Sequence, residues 1–388
     1  MKIVNTHVHM PPNFSAFDTV AECVEAAMAE GAAAIGISNF YDQSVYRVFA
    51  DLAEAAHILP LFGLEFITLD PELESLGIKV NDPANPGRMY LTGKGISPFI
   101  AKSATAEATA RAIREGNDAR ARQQIEQVAA WFSANGYETG ITAGTIAKQV
   151  ALRGDVPVEW VSIQERHIAR AFEEWVSALP EGERIRALEA VFGGPAKSPD
   201  NPVSLQGEIR SRLLKAGTPG FVPEVPLSFD TAYQYILEMK GIPVYPTLAD
   251  GVLPVCQYET PPAELAQKLL DKGIYAAEII PIRNTRAVTD EYVKAFTEAG
   301  LVVMAGTEHN TLDRIPFDPA CVDGPLSDYA RAEFYKGTCV VAAHQQRIAE
   351  GRPGFVDAEG NRTAAPVASF IELGKELIEN PASRKVVA

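Results

Sequence analysis

The sequence is poor in cysteine and histidine, and it has no long apolar run. Four cysteines and six histidines occur among 388 residues. The cysteines lie far apart without a C-x-x-C pair, so we expect reduced core residues rather than disulfides or a thiolate metal site. No apolar stretch approaches the ~18 residues that cross a bilayer, and the start, MKIVNTHVHM, reaches polar residues too early for a secretory signal. We therefore expect a cytoplasmic protein with no membrane partner.

The chain also lacks an excess of positive charge. Subtracting 50 Asp and Glu from 35 Lys and Arg gives a net charge of −15, which argues against nucleic acid as a partner. There is no G-x-x-x-x-G-K-[ST] phosphate loop, no G-x-S-x-G nucleophile elbow, no H-E-x-x-H and no complete G-x-G-x-x-G after a strand. These absences argue against the enzyme classes that depend on those motifs.

Short apolar runs alternate with helical patterns at both ends of the chain. Strand-like runs at 2–5, 33–37 and 58–62 are separated by helical segments, the first of which has Thr19 at its capping position. The alternation resumes after the middle of the chain and continues to about residue 310. This order predicts a parallel α/β sheet with polar residues at the carboxyl ends of its strands.

The middle of the chain differs in composition. Residues 104–226 are rich in Ala, Arg, Glu and Gln and have a 3.6-residue apolar spacing, which predicts a helical insertion. We expect residues 1–103 and 227–350 to form one large α/β domain, with two helices near 325–349. A loop and a helix at 351–388 complete the chain.

The best local signal for chemistry is His7-Val8-His9 at the end of the first strand. Side chains at i and i+2 of an extended chain point to the same side, so both imidazoles can meet one metal ion. A surface pair or a buried, hydrogen-bonded pair is the alternative explanation. The position at the carboxyl end of a strand favours the metal site.

A metal held by two histidines needs further ligands, usually carboxylates from other strand ends. Glu65 and Glu308 each follow an apolar run. Either acid alone suits a surface or helix-capping position. Together with the histidine pair, they place four residues of ligand type at three strand ends. His309 is the alternative to Glu308 if the chain turns early at Gly306.

The order of these motifs resembles the PHP (polymerase and histidinol phosphatase) family of metal-dependent hydrolases, over about 1–103 and 227–345. The resemblance implies a distorted, TIM-like β/α barrel of the PHP type, here carrying the helical insertion. Five segments are similar to family motifs or stand where the family has them: His7-Val8-His9 at H-x-H, GISNF at 36–40 at T-D-H, Gly63-Leu64-Glu65 at G-x-E, Tyr245-Pro246 at a histidine-proline pair, and GTEHN at 306–310 at G-S-D-x-H.

The resemblance implies a site for three metal ions, and this chain departs from that design at two of the three positions. The resemblance assigns the first metal to the two histidines and two glutamates named above, with Glu308 in place of an aspartate. A histidine of the second metal is replaced by Tyr245, and the histidines of the third by Phe40 and Asn310. These replacements predict one divalent metal ion, and histidine and carboxylate ligands suit zinc, manganese and iron alike.

Basic residues must offset the loss of two cations if the substrate is an anion. The candidates for substrate binding are Arg88, Lys94, Lys102 and Arg283. The first three lie after Glu65, in a segment predicted to be loop around Gly93-Lys94-Gly95. Solvated surface charges are the alternative explanation for each of them.

Tyr245 and Asn310 are the candidate catalytic residues. A Tyr245 phenol that faces the metal is able to donate a hydrogen bond to an oxyanion or to act as a general acid. Core packing beside Pro246 is its alternative role.

The function that these features predict is a metal-dependent hydrolase of a small anionic substrate, most readily a phosphoester, acting through water at a single metal. The insertion is expected to cover or flank the mouth of the barrel as a lid. Three alternatives stay open: a catalytically reduced PHP-like binding or regulatory protein, an amidohydrolase-like barrel enzyme, and non-hydrolytic carbon–oxygen or carbon–carbon chemistry. The oligomeric state has no signal in the sequence.

Overall fold

The structure is a computed structural model that describes residues 1–97, 99, 101–381 and 384. It is a mixed α/β fold with parallel sheets and many helices. The strands are β1 (Ile3–Val8), β2 (Ala32–Ile37), β3 (Asn39–Phe40), β4 (Leu59–Leu61), β5 (Gly63–Leu69), β6 (Arg88–Lys94), β7 (Leu227–Ser228), β8 (Ile242–Thr247), β9 (Ala276–Ile279), β10 (Val302–Ala305), β11 (Ala320–Cys321) and β12 (Gly324–Pro325).

Several helices begin at a residue whose side chain caps the first turn. The side chain of Thr19 accepts a hydrogen bond from the Glu22 amide at 3.0 Å, at the predicted start of the first helix. The helices are α1 (Val20–Ala29), α2 (Tyr46–Ala55), α3 (Pro71–Ser75), α4 (Ala104–Ala134), α5 (Ala143–Gly154), α6 (Glu165–Ser177), α7 (Glu181–Phe192), α8 (Pro202–Ile209), α9 (Phe229–Glu238), α10 (Pro262–Asp271), α11 (Arg286–Glu298), α12 (Asp328–Ala349) and α13 (Val367–Glu379).

The main strands form two sheets that meet at their edges. The first has the order β1-β2-β4 and is parallel, and the second runs β10-β9-β8-β6-β5-β3 with β7 beside β5. Among the described residues, β1 meets the end of β10 through a single bridge between Val8 and Glu308. The prediction of a β/α barrel therefore holds only in part, because this junction leaves the strand ladder open.

Strand β6 corrects the prediction of a loop around Gly93-Lys94-Gly95. It pairs antiparallel with both β5 and β8, with Thr92 opposite Glu65 and Val244. Met89 and Leu91 alternate with Tyr90 and are fully buried, which is the pattern of a strand. The glycines on either side of Lys94 hide this pattern in the sequence.

Helices α4 to α8 occupy the segment with the 3.6-residue apolar spacing. They bury a hydrophobic cluster of their own, which includes Phe132 and Phe172 with ring centroids 5.0 Å apart. The larger cluster fills the space between the sheets and the remaining helices. The insertion therefore has a hydrophobic cluster of its own, and Ala106 of α4 also joins the larger one.

The carboxyl-terminal part differs slightly from expectation. One long helix, α12, replaces the two helices predicted near 325–349, and α13 packs against it. A Cβ at Gly374 would overlap the Cys339 carbonyl, so the close approach of the two helices requires glycine. All four cysteines are free and buried, as predicted. No helix in the described part of the chain is long and apolar enough to cross a membrane.

Candidate metal centre

Three side-chain donor atoms converge at the end of β1. The Nε2 atoms of His7 and His9 are 3.4 Å apart, and Glu65 Oε2 lies 3.7 Å from the first and 3.4 Å from the second. Ligands at ~2.1 Å from a tetrahedral ion are separated by about 3.4 Å, so this spacing fits a metal ion. Imidazole nitrogen and carboxylate oxygen also suit a divalent transition metal.

Strand ends bring these three residues together. His7 and His9 are i and i+2 at the end of β1, while Glu65 lies on β5, and all three are buried. Phe40 of β3 stacks on the His9 ring with centroids 5.0 Å apart. This phenylalanine stands where the PHP family has a histidine. It packs against the ring of a predicted ligand, His9, and cannot coordinate a metal itself.

A buried carboxylate supports His7 from behind. Glu278 Oε2 accepts a hydrogen bond from His7 Nδ1 at 2.7 Å, which leaves Nε2 directed to the cluster. The other oxygen, Oε1, lies 2.7 Å from the Thr6 hydroxyl and 2.9 Å from Lys94 Nζ. A carboxylate behind a ligating histidine fixes the tautomer and the orientation of the ring.

The charges of the metal-free cluster are strongly coupled. Burial and the Lys94 charge disfavour the charged His7 ring, but Glu278 and Glu65 outweigh them and raise the pKa of His7 to about 9. Burial opposes ionisation of Glu65, yet the two histidines lower its pKa to about 2. Burial lowers the pKa of His9. Without metal, the carboxylates of Glu65 and Glu278 on either side of His7 favour its imidazolium form.

Glu308 lies beside the histidines, but its carboxylate is directed elsewhere. Its backbone exchanges hydrogen bonds with His7 O and His9 N, both at 2.8 Å. The carboxylate pairs with Arg283 and accepts a hydrogen bond from Asn310 Nδ2. The structure therefore does not bring Glu308 into the three-residue cluster, and its role as fourth ligand stays a prediction.

His309 is directed away from the cluster. Its Nδ1 lies 2.7 Å from the Thr307 hydroxyl and its Nε2 lies 2.9 Å from the Ile315 carbonyl. Its ring stacks on Phe317 with centroids 4.6 Å apart. Both nitrogens are committed to other partners, so this conformation does not offer the alternative ligand.

Tyr245 does not face the predicted metal. Its hydroxyl donates to Glu259 Oε1 at 2.9 Å, and the side chain is fully buried. The next residue, Pro246, pairs with Glu278 across the sheet, and successive residues of a strand point to opposite faces. Tyr245 thus lies on the face opposite to Glu278, and its catalytic role stays a prediction.

The predicted basic residues have different positions. Lys94 is buried, with its Nζ donating to Thr6 O and the Ser38 hydroxyl at 2.8 and 2.7 Å, so it belongs to the network around His7 and does not line the cavity described next. Lys102 is outside the cavity described next, near Asp42. Arg88 and Arg283 both line that cavity.

A cavity of about 840 Å³ lies over the cluster. His9 and Glu65 line its floor, and Arg283, Glu308 and Asn310 line one side. Its opposite wall comes from the helical insertion, including parts of α4, the start of α6 and the segment that follows α8. The insertion therefore covers the strand ends that carry the cluster.

Two residues of this region, Glu278 and Arg166, belong to none of the sequence motifs. Glu278 is the single charged residue of β9, and a charge within a buried strand is a detectable signal because it needs a buried partner. Arg166 of α6 lines the cavity but resembles many other arginines of the insertion. No pattern in the sequence distinguishes it.

Solved structures share this fold. A protein assigned as a metal-dependent phosphoesterase from Bifidobacterium adolescentis has a TM-score of 0.57 and 13% identity, covering 87% of this chain and 96% of that chain. An amidohydrolase from Chromobacterium violaceum, solved with sulfate and no metal, has a TM-score of 0.54 and 18% identity, covering 85% and 96%. The chain therefore shares the fold of these two structures. No family model and no curated protein match the sequence.

Proposed function

We propose that this chain is a metal-dependent hydrolase of a small anionic substrate, with phosphoesters as the favoured class. A single divalent ion, zinc, manganese or iron, would be held by His7, His9 and Glu65. The observation that carries the proposal is the convergence of their three donor atoms within 3.7 Å of one another. The order of motifs supports membership of the PHP family, which we propose with the same site.

The residues around the cluster have defined roles in this proposal. A divalent ion supplies a Lewis acid and allows water to act as a nucleophile near neutral pH. Glu278 keeps Nε2 of His7 turned toward the cluster, and Phe40 holds the His9 ring by stacking. Glu308 becomes a fourth ligand if its carboxylate turns away from Arg283, and Arg283 is then free to hold the substrate anion.

Amide hydrolysis is the second candidate. The likeness to the amidohydrolase from Chromobacterium violaceum favours it. Arginines in the cavity wall favour a substrate with an anionic group, because guanidinium binds phosphate and carboxylate through paired hydrogen bonds, and the order of PHP-like motifs favours the phosphate. A binding protein would have less need for a carboxylate that orients one ligand ring.

The test is hydrolysis of chromogenic substrates by protein loaded with zinc, manganese or iron. We expect release of nitrophenol from nitrophenyl phosphates, a loss of at least about 100-fold in His9→Ala, and unchanged rates in His57→Ala. His57 is an exposed histidine far from the cluster in sequence and is a matched control. If the metal-loaded protein cleaves only anilides, amide hydrolysis replaces phosphoester hydrolysis as the proposed function. If it cleaves neither class of substrate, a binding function is favoured.

A further inference from the structure

The cavity wall contains one cation without an acidic partner. Five of the cationic side chains that line the cavity lie within 4.0 Å of a carboxylate: Arg88 and Arg120 share Glu224, Arg210 and Lys215 share Glu165, and Arg283 pairs with Glu308. Among the described residues of the lining, Arg166 is the exception. Its one hydrogen bond is a long one, 3.5 Å, to the Asn310 side-chain oxygen.

The surroundings of Arg166 disfavour a positive charge. The side chain is half-buried, and it stands in the first turn of α6, where the helix dipole is positive. Burial, followed by the nearby Arg210, lowers its pKa to about 10, and the attraction of Glu308 and Glu165 only partly opposes this shift. A guanidinium in this position gains more from a bound anion than one that already has a carboxylate.

Arg166 is held in position over the cluster. The side chain of Gln164, just before α6, accepts a hydrogen bond from Phe14 N at 2.7 Å and donates one to Asn13 Oδ1 at 2.8 Å. Asn13 and Phe14 belong to the loop that follows His9. The start of α6 is therefore attached to the loop next to the predicted metal ligands.

The same cavity contains a buried hydroxyl without a partner. Thr247, at the carboxyl end of β8, is 3% exposed, and its Oγ1 makes no hydrogen bond. Buried polar atoms of this kind are rare in folded proteins, and those in a cavity wall are available to a ligand. Thr247 and Arg166 approach the cavity from the sheet and from the insertion respectively.

We propose that Arg166 binds an oxyanion group of the cavity's ligand and is the residue by which the helical insertion selects that ligand. Arg283 and Asn310 lie on the adjacent wall and complete the pocket for the anion. The role as a substrate-selecting residue rests on the proposed hydrolase function, whereas the anion site itself does not. A net charge of −15 repels anions from the chain as a whole, so binding of an anion here requires such a local site.

The test is calorimetric titration of inorganic phosphate into metal-free protein, which separates the arginine site from direct binding to a metal. We expect Arg166→Gln to weaken phosphate binding by at least about tenfold and Arg166→Lys to weaken it less. Arg170→Gln is the matched control, because Arg170 lies one turn further along α6 and already pairs with Glu174 and Asp18. This control removes the same charge and should change the affinity by less than about twofold.

The outcomes are distinct. No phosphate binding by the metal-free parent protein, equal binding by Arg166→Gln, or equal losses in Arg166→Gln and Arg170→Gln would overturn the anion site. Thermal unfolding of each variant identifies a loss of phosphate affinity that comes from misfolding. If Arg166→Gln is misfolded, the folded Arg166→Lys variant is compared with the parent protein and with Arg170→Gln instead. Metal content, measured after the same variants are loaded with zinc or manganese in a separate experiment, tests the hydrolase proposal, because Arg166 is not a ligand of the cluster.

Discussion

At the scale of single residues, three buried ionisable side chains form one network that includes the predicted ligand His7. Glu278 lies between His7 and Lys94, and all three are at most 2% exposed. Burial disfavours each charge, but the His7 and Lys94 charges lower the pKa of Glu278 to about 2. Because each charge depends on the others, His7 has little freedom to rotate, and the cluster is formed before any metal binds.

Replacing Glu278 by glutamine should weaken both the cluster and the fold. The change removes the charge that pairs with Lys94 and orients His7, so we expect metal affinity to fall about 10- to 100-fold. The free energy of unfolding should fall by about 3–5 kcal/mol, as is usual when one partner of a buried ion pair is lost. Glu298→Gln, an exposed change, is the control in chelator-competition and urea-unfolding measurements. Equal metal affinity in the two variants would contradict the orienting role.

Metal affinity should depend steeply on pH. His7 is protonated below its pKa of about 9 in the metal-free protein, and a ligand nitrogen must be unprotonated, so binding releases one proton. Affinity should therefore rise roughly tenfold per pH unit from pH 7 to 9 and level off above that range. Titration in buffers of different pH measures this slope. A flat profile in the parent protein, or an undiminished slope in Glu278→Gln, would contradict the account.

Part of the site was predictable because its chemistry follows strand geometry. His7 and His9 share a side of β1, and Glu65 follows an apolar run, so their convergence could be inferred. The side-chain direction of Glu308 was not predictable, since it depends on a left-handed backbone with φ of +65°. Arg166 reaches the cavity only because the insertion folds back over the sheet.

At the scale of elements, the alternation of strands and helices could be predicted from the sequence, whereas the way in which the two sheets meet could not. The apolar runs of β1, β2 and β8 to β10 are strands because both faces of a parallel sheet are covered. The antiparallel β6 carries polar and glycine residues at its end, and the local pattern favoured a loop. The contact between β1 and the end of β10, which leaves the ladder open, depends on long-range geometry that no local pattern encodes.

The contact between the end of β10 and β1 gives a test of the element packing. A Cβ on Gly306 would overlap the Cβ of His7, so Gly306→Ala must displace the start of the cluster. We expect a loss of about 1–3 kcal/mol in the free energy of unfolding and at least about tenfold in metal affinity. Gly194→Ala, where nothing lies within 4 Å of the new Cβ, should change neither. Wild-type metal affinity in Gly306→Ala would show that this contact does not position His7.

At the scale of the whole molecule, the cavity lies between the α/β body and the helical insertion. The α/β body supplies the cluster, and the insertion supplies a wall with several arginines. The composition of the insertion predicts its helices. It does not show which face of the insertion covers the cluster. In the proposed function, the α/β body carries the chemistry and the insertion selects the ligand.

Metal should stabilise the whole fold by mass action. An ion that binds the folded state alone adds about 2.7 kcal/mol at a free concentration 100 times its dissociation constant. We expect a chelator to lower the melting temperature of the parent protein and of His57→Ala by several degrees, and to leave His9→Ala unchanged. Equal responses of all three proteins would contradict binding at the cluster.

Metal content per chain tests the central claim most directly. Elemental analysis of protein purified without chelator and loaded with zinc or manganese should give about one tightly bound ion per chain. His7→Ala should lose it, and His57→Ala should keep it. Clearly more than one ion in the parent protein, no ion at all, or an unchanged content in His7→Ala would contradict the single-metal cluster of His7, His9 and Glu65.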